Sequence, residues 1–102
     1  MEYKDWYDRS TASQKGGLDQ EGFIRTADRF VTLANTLNRK VNAPDLLYAM
    51  LFATSRYSSH VGKNVIEVEE QEKYIDHLVN QYRDMLRENF ADPAVWGKNL
   101  VY

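Results

Sequence analysis

The chain has 102 residues, 13 lysines and arginines against 15 aspartates and glutamates, a formal charge of −2, 43% hydrophobic residues and no cysteine. That length holds one hydrophobic core rather than two, and the ordinary balance of charged and apolar residues excludes wholesale disorder. Without cysteine there is no disulfide, no thiolate metal site and no cysteine nucleophile.

Residues 1–18 are polar, with Tyr3, Trp6 and Tyr7 interspersed, and close on Ser13-Gln14-Lys15-Gly16-Gly17. No sustained period runs through them, so they read as a flexible lead-in. The opening Met-Glu-Tyr-Lys-Asp-Trp has no basic region followed by an apolar stretch. The longest apolar run, Leu46 to Ala53, is eight residues against the roughly 20 that a membrane span needs. The expectation is a soluble cytoplasmic protein.

From Asp19 the pattern turns helical. Phe23, Ala27, Phe30, Ala34 and Leu37 recur at alternating intervals of four and three, with Ile24, Val31 and Leu33 widening the stripe. Arg25, Asp28, Arg29, Thr32, Asn35, Thr36 and Arg39 occupy the opposite side. Asp19 suits the N-cap, with Leu18 and Phe23 placed as a staple across it. A first helix is predicted over about 20–39. Asn42 caps a second, Pro44 sits in its first turn where a missing N–H costs nothing, and Val41 can staple to Leu46. This helix is predicted over about 43–61, stopping at Gly62 as its C-cap. Asn64 with Glu67 resembles a capping box for a third helix, which carries Tyr74, Ile75, Leu78, Val79, Tyr82, Met85, Leu86 and Phe90. Pro93 disfavours helical geometry at Asp92, so that helix ends near 90–91.

Short connections and the lack of any strand pattern predict an all-α protein, a three-helix up-down-up antiparallel bundle over 19–91. The segment 92–102, with Val95, Trp96, Leu100, Val101 and Tyr102, is expected to fold back as an aromatic tail.

The second helix carries apolar residues on two sides. Leu46, Met50, Ala53, Tyr57 and Val61 form the side expected to face the bundle, while Tyr48, Phe52, Ser55 and Ser59 form another, with Leu51 at its edge. Two aromatics and two small residues make a surface that another helix can approach closely. A second subunit, the chain's own termini around Trp6 or Trp96, or a different protein could cover it. A homodimer through Tyr48, Phe52, Ser55 and Ser59 is the leading expectation. Arg56 stands at the margin, suited to stacking on an aromatic ring or pairing with a carboxylate.

Little else points to chemistry. His77 is expected to face water and His60 to interact with the terminal carbonyls of the second helix. No Glu-x-x-His or His-Glu-x-x-His spacing occurs. Glu67, Glu69, Glu70, Glu72 and Asp76 read as charges complementing a helix N-terminus, with Glu69 placed to pair with Lys73. The serines lack a nucleophile elbow. No catalytic, cofactor-binding or metal-ligating residue is identified, and the leading reading is a non-enzymatic interaction module. One alternative is a ligand-binding or catalytic pocket between helices using Arg56, Tyr57 and a carboxylate of the third helix. Another is nucleic-acid binding through Arg25, Arg29 and Arg39, since Arg25, Arg29, Arg39 and Lys40 against Asp28 leave residues 22–42 at a local charge of +3. Net acidity and the run of glutamates opening the third helix argue against the latter.

Ala27-Asp28-Arg29-Phe30 with Ala34-Asn35, then Leu46-Leu47-Tyr48-Ala49 with Arg56-Tyr57, resembles a family of small bacterial helical proteins of no known function. Gln81-Tyr82-Arg83-Asp84-Met85-Leu86 looks like that family's closing helix, and the similar region runs from about Phe23 to Phe90. The chain departs from the pattern at both ends, in the aromatic lead-in and the Trp96 tail. The resemblance implies a helical, cytoplasmic bacterial protein and carries over no catalytic or ligand-binding residue.

Overall fold

Local capping chemistry begins the first two helices. A computed structural model of the chain describes residues 17–93. Helix α1 spans Gln20–Leu37, and Asp19, in extended conformation, accepts the Gly22 amide on its carboxylate Oδ1 at 2.7 Å. The Phe23 amide donates to the Asp19 carbonyl at 2.8 Å and starts the helical ladder. After Leu37 the chain unwinds through tight turns, with Lys40 and Val41 both donating to the Leu37 carbonyl at 3.0 Å.

Helix α2 spans Ala43–His60. Asn42 caps it reciprocally: its Oδ1 accepts the Asp45 amide at 3.0 Å, and its Nδ2 donates to Asp45 Oδ2 at 2.9 Å. The expected caps at Asp19 and Asn42 are therefore both formed.

The end of α2 departs from expectation. Gly62 is no C-cap; helical winding continues past it as a π-helical segment, Val61–Ile66. The left-handed residue is Glu67, at φ 59° and ψ 57°, and the Val68 amide closes the segment on the Gly62 carbonyl at 2.9 Å. The physical reason lies twelve residues downstream. The Tyr74 ring packs on Gly62 so closely that a Cβ there would stand 2.5 Å from Cε2. The Tyr74 hydroxyl donates to the Ser58 carbonyl at 2.7 Å.

The expected Asn64–Glu67 capping box does not form either. Helix α3 starts later, over Gln71–Ala91, with Glu70 in the N-cap position making no side-chain capping bond. It stops as expected, with Asp92 extended ahead of Pro93.

Three α-helices, with no strand among the described residues, make an all-α fold. Contacts divide the chain into two units at the Tyr57–Ser58 bond. In the first, Gly22 and Leu46 are buried. In the second, Gly62 and Tyr74 are buried. Leu46, 8% exposed, and Tyr74, 4% exposed, are the buried apolar side chains among the described residues. The expected core stripes are consequently open in several places. Phe30, Leu33 and Leu37 on α1 and Tyr57 on α2 are exposed, whereas Ala27, Val31, Ala34 and Asn35 are half-buried. The shielded side of α1 thus takes in Phe23, also half-buried, but leaves Phe30, Leu33 and Leu37 open. Residues 1–16 of the lead-in and 94–102 of the aromatic tail lie outside the described residues.

Candidate interaction surface

Helical spacing brings the five predicted surface residues together on α2. Tyr48 and Phe52 are one turn apart and expose 71% and 63% of their surface. Ser55 follows on the next turn and donates its hydroxyl to the Phe52 carbonyl at 2.8 Å. That bond satisfies the hydroxyl locally, so covering Ser55 removes little hydration. Ser59 is exposed one turn further on. The Arg56 guanidinium stands 5.9 Å from the centroid of the Phe52 ring, within cation–π range. Arg56 therefore stacks on the aromatic edge of the face, as its position implied.

Of the other predicted sites, His60 is the last residue of α2, as expected, and its ring Nδ1 lies 3.2 Å from Asn64 Nδ2 on the π-helical turn that follows. His77 is half-buried rather than turned to water. Lys73 pairs with Glu70 at 3.1 Å instead of with Glu69. On the basic side of α1, Arg25 reaches Glu21 at 3.7 Å, while Arg29 and Arg39 are exposed.

Two features escaped the sequence pattern. Asp28, expected among the solvated residues of α1, has its Oδ1 shut away from solvent with no hydrogen-bond partner among the described residues. The Ser58–Gly62–Tyr74 cluster also went unread, because a glycine near the end of a helical run reads as a C-cap. Burial raises the Tyr74 phenol above its ordinary value of 10.0, because the phenolate would lose hydration there.

No group of three or more metal-ligating side chains occurs among the described residues, and no helix among them is long and apolar enough to cross a membrane. Residues 23–94 match the family described as "Protein of unknown function (DUF3144)". The chain belongs to this family. No curated protein and no solved structure matches it. The matched stretch holds the whole Tyr48–Ser59 surface and nearly all of the three helices of this DUF3144 chain, so that surface belongs to the family domain itself.

Proposed function

We propose that this DUF3144 chain is a non-enzymatic interaction module whose copies pair through α2, with Tyr48, Phe52, Ser55 and Ser59 forming the contact and Arg56 its margin. The observation that carries the reading is the exposure of Tyr48 and Phe52, 71% and 63%, on adjacent turns of one helix. Covering what remains open of the two rings contributes about 2–4 kcal/mol per chain, a large share of a small domain's net stability.

A second copy fits the face better than an arbitrary apolar partner because the face is self-complementary. In an antiparallel two-fold arrangement that sets Tyr48 against the partner's Phe52, Asp45 comes beside the partner's Arg56, and the reverse pair follows by symmetry. In that register Ser55 falls opposite the partner's Asp45, where its small side chain lets the two backbones approach, and Ser59 falls opposite the partner's position 41, at the end of the contact.

Light scattering tests this directly. Native mass is expected to be at least twice the 11.9 kDa of one chain and to halve in Phe52→Asp. Circular dichroism should show unchanged helix content, since Phe52 supports no buried core in the single chain. A Phe52→Asp protein of unaltered mass would refute pairing through α2.

A further inference from the structure

Helix α3 exposes a second self-complementary face, independent of α2. Its shielded side carries Tyr74, Leu78, Gln81 and Met85. The neighbouring side carries Ile75, Val79, Tyr82 and Leu86, all exposed. Their spacing of four, three and four is that of a coiled-coil seam, in which successive core positions alternate down one edge of a helix. One flank of this seam, Leu78 and Met85, is half-buried and runs into the chain's own packed side. The other flank carries two exposed charges of opposite sign, Asp76 and Arg83. Asp76 enters no ion pair among the described residues, and Arg83 is held only by Asn80, whose Oδ1 accepts from Nη1 at 2.7 Å.

We infer that the exposed edge of α3 is an antiparallel interface with the α3 of a second copy. The occupant follows from charge and register together. Antiparallel pairing that sets Ile75 against the partner's Leu86 also sets Val79 against the partner's Tyr82, and the two-fold repeats both layers. In that register Asp76 and the partner's Arg83 flank the same two layers on the same side, so each chain's acid meets the other's base. A parallel pair would place Leu78 and Met85 opposite these charges and leave both unmatched. The α1 stripe as occupant offers no such reciprocity, since Arg25, Arg29, Arg39 and Lys40 dominate its polar side.

Charge reversal by light scattering separates these arrangements. Asp76→Arg and Arg83→Asp each place like charges together twice in the homomeric pair, and each should lower native mass at unchanged helix content. Mixing the two variants sets a chain that is basic at both positions against one that is acidic at both. Each mixed dimer then regains two attractive pairs, and the mass should be restored. A wild-type chain of single-chain mass, meaning that the seam is covered within one molecule, overturns the inference. So does Asp76→Arg with unaltered mass, or a mixture that stays as small as its components. The α2 reading is decided separately by Phe52→Asp, so either face can fail while the other stands.

Discussion

Tyr74 shows how much one side chain can determine. Its ring occupies the space that a Cβ at position 62 would fill, and its hydroxyl ties α3 to the carbonyl of Ser58. Gly62→Ala must displace a ring fixed at its far end by a hydrogen bond, so a loss of about 1–3 kcal/mol is expected in urea unfolding. Tyr74→Phe keeps the ring and removes the bond, for a smaller loss of about 0.5–1.5 kcal/mol. The pH dependence carries the same signature. Burial raises the folded-state value of Tyr74 above 10.0, so its contribution is fully present below the unfolded value and falls as pH rises through the higher folded one. Stability measured above pH 10 should therefore drop more steeply in the wild type than in Tyr74→Phe; parallel curves would place the phenol in water.

The elements differ in how far their limits could be read from the chain alone, and the difference follows the range of the forces that set them. Asp19 and Asn42 each satisfy amides within three residues, so both helix starts were legible. Pro93 acts on its immediate neighbour, so the end of α3 was too. Gly62 was misread because its partner is Tyr74, and no local rule shows that a glycine in a helix is kept for a ring twelve positions away. That Tyr48 and Phe52 stand on adjacent turns of one side of α2 was legible from their spacing. The α3 seam was not, because periodicity marks which residues are apolar and not which of them the chain covers. The displaced stop leaves a testable trace at Glu67, whose left-handed backbone is costly for a residue with a Cβ. Glu67→Gly should raise stability by about 0.5–1 kcal/mol, read as a shift in the urea midpoint at constant slope. A loss instead would mean that the glutamate side chain holds the turn.

Across the described residues, burial is confined to Leu46 and Tyr74 among the apolar side chains, while exposed apolar residues occur on every helix. Pairing of copies, as proposed for α2 and α3, would tie stability to concentration, because only folded chains associate and mass action then moves the folding equilibrium. Each tenfold rise in concentration adds about 1.4 kcal/mol per dimer, shared between two chains. For domains of this size that is an increase of about 3–5 °C in the melting temperature. Scanning calorimetry over a hundredfold range should show this slope in the wild type and a shallower one in Phe52→Asp and Asp76→Arg. The two variants should also melt below the wild type by a margin that widens with concentration, because each loses an interface rather than an internal contact. A melting temperature independent of concentration would mean that the open faces of α2 and α3 are not closed by copies of this chain.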